Sequence, residues 1–312
     1  MHHSFQVLAF SLAALHCMGA LASPAVSPQV NNILSRADAP DEEFVITPGG
    51  PVLKSNVHSV PQGARVEHIG ETISIVSANG TTLKSTPFTS ANRSPHQRRD
   101  IQSGYVGLAY WSNGADPNPI SSFSTFWVVP EVPEVVDGQT IFIFNGLEPD
   151  AGDAILQPVL QYGGSAAGGG NYWALSSWWV IGTSAFFTPL VQVPVNQGLT
   201  GLMTLQSITN TEGVAAYNYN SVFTGFPGTS LSISSTRPLP LAFEALEVYS
   251  AKSPTYLPRG RTSMRGIDII KNNGVRPTVI WSTIVDTAEG FTMSVVSNGV
   301  PNGQVDIFYP LQ

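Results

Sequence analysis

Residues 155–162 read ILQPVLQY, a stretch in which two amides recur among apolar side chains. In an extended strand successive side chains point to opposite faces, so Gln157 and Gln161 share one face. The two leucines and the proline of this stretch occupy the other face, which is apolar throughout. An amide on a mostly apolar strand is costly to bury unless it has partners. We therefore predict a β-strand with a core-facing side and an amide-bearing side.

The same period of two recurs from here in both directions along the chain. Short segments rich in Val, Ile, Phe, Tyr, Trp and Thr are separated by Gly, Pro and Asn. The predicted strands are 121–129, 140–145, 155–162, 172–180, 185–193, 199–207, 215–223, 230–234, 242–249, 278–284 and 292–296. Many short strands over about 200 residues predict an all-β domain, a two-sheet antiparallel β-sandwich or jelly roll.

The N-terminus has the pattern of a secretory signal peptide over residues 1–22. Residues 5–22 are apolar, and the sequence ALA at 20–22 has the small residues that signal peptidase recognises. A membrane anchor is the alternative, but His16 interrupts a segment that is already short for a span. We expect a secreted, extracellular protein without a membrane span.

Residues 23–99 have the composition of a prosegment. They are polar, rich in Pro, Ser and Asn, and they end in Arg98-Arg99, a pair that suits a processing protease. The alternative is two solvated arginines in a linker. Cleavage after Arg99 would leave residues 100–312 as the mature β-sandwich domain.

That cleavage would remove the histidines and the cysteine on which most familiar catalytic mechanisms depend. Cys17 is the only cysteine, and all six histidines precede residue 100. A Ser-His-Asp triad, a Cys-His nucleophile and a zinc site of the usual N/S type would then be impossible. Residues 100–312 carry seven basic and fifteen acidic side chains, which argues against a nucleic-acid partner. Carboxylates, amides, hydroxyls and aromatics remain, and we expect no metal and no cofactor.

A second strand, residues 242–249, carries two glutamates. Alternation places Glu244 on one face with Leu246 and Val248, and Glu247 on the other. At most one of the two can therefore point into a given cleft. The alternative is that both glutamates and both glutamines are ordinary solvent-face residues of a sheet.

Aromatic side chains crowd residues 172–180, where Trp173 and Trp178 are candidates for lining a cleft. Such residues bind peptides or sugars. The alternative is that they belong to the core of a β protein.

The order of these segments resembles the secreted glutamic peptidases (eqolisins) of fungi. TFWVVP at 125–130 is similar to the family's Thr-Phe-x-Val-Pro strand, and FNGLE at 144–148 to Trp-Val-Gly-Ile-Asp. ILQ at 155–157 matches Ile-Leu-Gln, and FEALE at 243–247 is similar to Ala-Glu-Trp-Ile-Val-Glu. Four features depart from the family pattern. The aromatic strand has Ser176-Ser177 and no glutamate, and Ala245 stands in place of a tryptophan. The second glutamate follows Glu244 after three residues instead of four, and the entry strand has one residue more before its proline.

The resemblance implies a concanavalin-like sandwich and an acid-acting endopeptidase. On this hypothesis Glu244 is the general base and acid, and Gln157 donates a hydrogen bond to the oxyanion. A carboxyl group of ordinary pKa predicts an acidic optimum. The candidates for substrate binding are Trp173, Trp178, Glu148 and Gln161, with a polypeptide as substrate and a monomer as the working form.

Two other functions fit the same residues. A carbohydrate-active enzyme would need two carboxylates about 5–10 Å apart across a polysaccharide cleft. Glu148 with either Glu244 or Glu247 is the candidate pair. A lectin-like, wall-associated protein would use the glutamates and glutamines only to bind.

Overall fold

The computed structural model describes residues 43–90, 103–211 and 213–312. The predicted signal peptide, the first part of the predicted prosegment and Arg98-Arg99 lie outside the described residues. The strands are β1 (Phe44–Thr47), β2 (Gly50–Leu53), β3 (Val57–Ser59), β4 (Arg65–Ile69), β5 (Thr72–Val76), β6 (Thr82–Pro87), β7 (Ser103–Ser112), β8 (Ile120–Val128), β9 (Thr140–Glu148), β10 (Ala154–Ser165), β11 (Gly168–Ile181), β12 (Ser184–Phe187), β13 (Val191–Val193), β14 (Gly198–Thr211), β15 (Val214–Phe223), β16 (Leu231–Ser235), β17 (Leu241–Tyr249), β18 (Arg261–Lys271), β19 (Ser282–Val285), β20 (Thr292–Ser297) and β21 (Gly303–Phe308). Three short 3₁₀ helices are Lys54–Asn56, Pro254–Tyr256 and Thr287–Glu289.

The strands form two large sheets and one separate two-stranded sheet, β1-β2. Sheet I has the order β19-β7-β17-β9-β10-β11-β12-β3, with β13 also paired to β11. Sheet II has the order β20-β21-β18-β8-β14-β15-β16-β4-β5-β6. The pairs are antiparallel except β12–β3 and β16–β4, which are parallel. The prediction of an all-β, two-sheet sandwich is confirmed.

The core lies between the two sheets. Leu156 and Trp179 of sheet I belong to the same buried cluster as Phe123 and Met203 of sheet II. A side chain of this size stabilises the fold by about 1.5–3 kcal/mol when it is fully buried. We call the side of sheet I that faces sheet II its inner face, and the opposite side its outer face.

The outer face of sheet I is also largely buried. A separate apolar cluster there includes Phe142, Phe144, Val159, Trp178 and Phe243. All nine residues of β9 are buried as a result. The strands at the centre of sheet I therefore read as nearly continuous apolar segments.

Described residues before 90 contribute strands to both large sheets. Strand β3 forms one edge of sheet I, and β4, β5 and β6 extend sheet II. Val66, Ile73 and Ile75 lie in the core cluster between the sheets. Residues 42–312 form one compact unit, so the described residues of the predicted prosegment are not a separate polar extension. Cleavage after Arg99 stays a prediction.

Among the described residues, no helix has both the length and the apolar character needed to cross a membrane.

Candidate active site

The two predicted catalytic residues lie on opposite faces of sheet I. Glu244 on β17 pairs with Asn145 on β9, and its side chain accepts a hydrogen bond from Thr125 Oγ1 of sheet II. Glu244 therefore points inward, between the sheets. Gln157 on β10 pairs with Trp178, which belongs to the outer-face cluster. The structure does not bring Gln157 and Glu244 together, because strand alternation sends them to different sides.

Glu244 is fully buried among the core residues between the sheets. Burial raises the pKa of its carboxyl group well above the usual range, and the hydrogen bond from Thr125 lowers it by less. Its Oε2 atom and the Oδ1 atom of the facing Asn145 have no hydrogen-bond partner in the described part of the chain. Neither atom can donate when the glutamate is ionised. A proton on Oε2 would supply a donor, so this position suits a neutral carboxylic acid.

Gly201 of sheet II allows the two sheets to approach closely at this point. A Cβ atom there would lie 2.4 Å from Asn145 Oδ1, 2.8 Å from Trp127 and 2.9 Å from Pro158. We predict that Gly201→Ala lowers the free energy of unfolding by about 1–3 kcal/mol, because the core cannot take the extra methyl group without moving. Urea denaturation measures the change. Gly164→Ala is the control, since no atom lies within 4 Å of that Cβ position; an equal loss in both variants would contradict the prediction.

Gln157 lies on the outer face and is 0 % exposed. In the described part of the chain neither its Oε1 nor its Nε2 atom has a hydrogen-bond partner. Leaving a buried polar group unpaired costs about 1–3 kcal/mol. Such groups are rare in native proteins, and catalytic sites are one place where they occur. Both polar atoms of the Gln157 amide therefore lack a partner among the described residues, and a bound ligand could supply one.

Glu148 lies near Gln157 on the same face. It pairs with Leu241, which packs against the outer-face cluster. The ladder between β9 and β10 places Gly146, two residues before Glu148, opposite Gln157. Diagonal neighbours of this kind have Cα atoms about 7–8 Å apart, within reach of long side chains. The structure therefore brings together Glu148 and Gln157, both of which the sequence singled out.

Glu247 lies on the outer face as well, farther along the strands. It pairs with Phe142, which pairs in turn with Gln161. Its carboxylate accepts the backbone N–H of Gly49, at 3.0 Å to Oε1 and 2.8 Å to Oε2, and the hydroxyl of Tyr249 at 2.9 Å. Sequence reasoning placed Glu247 on the correct face without seeing its contact with residue 49.

The other predicted binding residues divide between the two faces. Trp178 lies beside Gln157 with its ring centroid 5.0 Å from that of Phe187. Trp173 belongs to the core between the sheets and packs 5.2 Å from Tyr162. Trp178 can therefore line a site at Gln157, whereas Trp173 supports the core.

The side-chain amide of Gln161 is hydrogen-bonded within the protein through both its nitrogen and its oxygen. Its Nε2 donates to Gly163 O at 2.8 Å and to Gly168 O at 2.9 Å, and Ser165 Oγ donates to its Oε1 at 2.8 Å. These contacts hold the turn between β10 and β11. Gln157 and Gln161 share a face, but among the described residues partners are found for Gln161 and not for Gln157.

The described residues contain no group of three or more His, Cys, Asp and Glu side chains that could hold a metal ion. Among the described residues, the outer face offers the carboxyl groups of Glu148 and Glu247, the amide of Gln157, the Tyr249 hydroxyl and aromatic rings.

Comparison with solved structures finds scytalido-glutamic peptidase bound to a peptide-based transition-state analogue. The identity is 13 %, the match covers 66 % of this chain and 98 % of that chain, and the TM-score is 0.42. A second structure of that peptidase, with a transition-state analogue inhibitor, matches with 12 % identity over the same shares and a TM-score of 0.41. SCP-B, a member of the eqolisin family in complex with the tripeptide Ala-Ile-His, matches with 13 % identity, the same coverage and a TM-score of 0.40. No family model matches the chain, and no curated protein matches it.

Proposed function

We propose that the outer face of sheet I binds a polypeptide and hydrolyses one of its peptide bonds. Glu148 is the general base and acid, and Gln157 is the oxyanion donor. The buried amide of Gln157, unpaired within the described residues, carries the proposal. This donor has no acceptor among the described residues, and it could meet a substrate oxygen once the groups that bury it move aside.

Each residue has one task in this reaction. The Glu148 carboxylate takes a proton from a water molecule as that water attacks the peptide carbonyl carbon. The carbonyl oxygen becomes an oxyanion and accepts a hydrogen bond from Gln157 Nε2. Glu148 then returns the proton to the leaving amine as the C–N bond breaks. A carboxylate can take a proton from water only while it is ionised, and we propose that this enzyme acts in acid after secretion.

The spacing of the carboxylates disfavours glycoside hydrolysis. Glu148 and Glu247 share the outer face, but the register places them six residues apart along the strand direction. Six residues of a strand span about 20 Å. Glycosidases need carboxyl groups about 5–10 Å apart. Glu244 lies on the inner face and cannot complete such a pair.

Contacts already present on the outer face favour a polypeptide. The backbone N–H of Gly49 binds the Glu247 carboxylate, and the carbonyl oxygen of Ile46 accepts the N–H of Ala166 at 2.8 Å. This face therefore binds main-chain donors and acceptors of an extended chain. Recognition through main-chain groups is how many proteins bind peptides.

The test is an assay of the secreted, processed protein with an unfolded protein, from acidic to neutral pH. New peptide N-termini, identified by mass and most abundant in acid, are expected. Release of reducing ends from a glucan would replace the proposal with glycoside hydrolysis. Retention of the unfolded protein without cleavage, at any pH, would leave a binding module.

A further inference from the structure

The hairpin formed by β1 and β2 lies on the outer face of sheet I. We propose that Glu247 and Tyr249 form a subsite for a main-chain N–H of a polypeptide, and that Gly49 of this hairpin fills it as an internal ligand. The hairpin would then have to leave before a substrate could occupy the face. This inference rests on the proposed function, because it names a second part of the same polypeptide site.

The hairpin makes no strand pairing beyond its own two strands in the described part of the chain. Thr47 pairs with Gly50 at its tip, and Thr47 Oγ1 donates to Gly50 O at 2.7 Å. A two-stranded hairpin alone is at best marginally stable in water. Its position therefore depends on the surface beneath it. In this respect the hairpin resembles a bound peptide segment and not a strand of the sheet.

Glycines give the tip the shape that the contact requires. Gly49 and Gly50 have φ of +94° and +118°, in the region that favours glycine. No atom lies within 4 Å of a Cβ position at Gly50, so a side chain would fit there. Glycine is favoured at that position because of the positive φ angle. The tip can then present the Gly49 N–H to the sheet.

Contacts of three kinds are described between the hairpin and the outer face. The Gly49 N–H is shared between the two Glu247 oxygens, and the Tyr249 hydroxyl donates to Oε2 of the same carboxylate. The Ala166 N–H donates to Ile46 O. The Ile46 side chain packs against the outer-face cluster. A main-chain donor, a main-chain acceptor and an apolar side chain are the elements of peptide recognition.

The chemistry of the subsite defines its ligand class. A carboxylate is an acceptor only, and hydrogen bonds to an ionised acceptor are stronger than neutral ones. A main-chain N–H is present at every residue except proline. The subsite therefore accepts polypeptides of varied sequence. We expect glycine or another small residue at the bound position, because the backbone must come within 2.8 Å of Glu247 Oε2.

The experiment measures hydrogen exchange of the full chain by mass spectrometry. In Glu247→Gln we expect the hairpin, residues 44–53, to exchange about 10–100-fold faster, the factor that one charge-assisted hydrogen bond represents. Tyr249→Phe is the milder variant and should raise the rate by a smaller factor. Exchange of β9 should stay unchanged in both.

Glu43→Gln is the matched control. Glu43 lies at the base of the hairpin and pairs with Lys54 at 2.9 Å, with both side chains exposed. This substitution removes a glutamate charge next to the hairpin without touching the subsite, and hairpin exchange should change little. Unchanged exchange in both Glu247→Gln and Tyr249→Phe would overturn the inference. So would an equal increase in hairpin and β9, which indicates general destabilisation.

Peptide cleavage by the processed parent protein separates the two proposals, because the variants also lose the substrate subsite. Faster hairpin exchange in the variants, with no cleavage of any polypeptide by the parent protein, would support the subsite and contradict the proposed function. Cleavage by the parent protein with unchanged hairpin exchange in both variants would support the function and contradict the subsite. Cleavage by the parent protein together with faster hairpin exchange in the variants would support both.

Discussion

Replacing Glu148 by glutamine is expected to abolish polypeptide cleavage, and replacing Gln157 by alanine to lower kcat about 10²–10³-fold. Glutamine keeps the size of Glu148 but cannot accept a proton from water. Alanine at 157 removes the donor that meets the oxyanion, a contact formed mainly in the transition state. KM should therefore change little in Gln157→Ala. The measurement is kcat and KM for an unfolded protein or a long peptide at acidic pH.

Gln161→Ala is the matched control for Gln157→Ala. The two glutamines occupy the same strand and the same face, but Gln161 bonds to the turn between β10 and β11. We expect Gln161→Ala to lower the free energy of unfolding and to keep kcat near the parent value. If Glu148→Gln stayed active while Glu244→Gln lost activity, the sequence-based choice of Glu244 as the base would be restored.

The sandwich could be predicted from the sequence because each strand carries its own alternation. The predicted strand 155–162 lies inside β10, and the faces assigned to Leu156 and Gln157 agree with the structure. The predicted strand 185–193 is two strands, β12 and β13, with Pro189 between them. Proline cannot donate to a ladder, and it separates two short strands here.

Several strands escaped the pattern for local reasons. Strand β18 reads RTSMRGIDIIK, and Gly266 with φ of +59° lies where the register shifts. This bulge breaks the alternation. The strands before residue 90 are short and polar at their outer positions, so their composition resembles a linker. Their partners lie far along the chain, as β4 shows by pairing with β16.

The candidate site required information that no single strand contains. Alternation alone separated Glu244 from Glu247, but the choice between them followed the order of motifs. The register between β9 and β10 places Gly146 opposite Gln157 and so brings Glu148 near the amide. The contact between Gly49 and Glu247 spans 198 residues. Neither relation follows from the composition of the segments involved.

Glu244 should make the protein more stable in acid than at neutral pH. Burial raises the pKa of its carboxyl group in the folded chain, whereas the unfolded chain has an ordinary value of about 4.3. Between these two pKa values the folded chain holds a proton that the unfolded chain has lost. The contribution is complete below the unfolded value and is lost as pH rises toward the folded value. Between the two pKa values, the free energy of unfolding falls by up to about 1.4 kcal/mol per pH unit because of this group.

Glu244→Gln is expected to remove this slope, because glutamine keeps the shape of the neutral acid and does not titrate. The measurement is urea unfolding of parent and variant at several pH values from about 4 to 7, a range that begins near the unfolded pKa. The difference between the two free energies should grow in favour of the variant as pH rises. Glu131→Gln, on the exposed surface, is the control. A difference that stays constant with pH would show that Glu244 is ionised in the folded chain.

A neutral acid at this position would explain why a glutamate lies between two apolar sheets. The Thr125 hydroxyl donates to one oxygen, and a proton on the other oxygen would give Asn145 Oδ1 the donor that it lacks among the described residues. Asn145 Nδ2 donates in turn to Gly201 O at 3.2 Å. The chain of contacts would then link the two sheets through polar groups that are all paired. Since that chain depends on a proton, the same residue would tie the stability of the sandwich to the acidic conditions proposed for its activity.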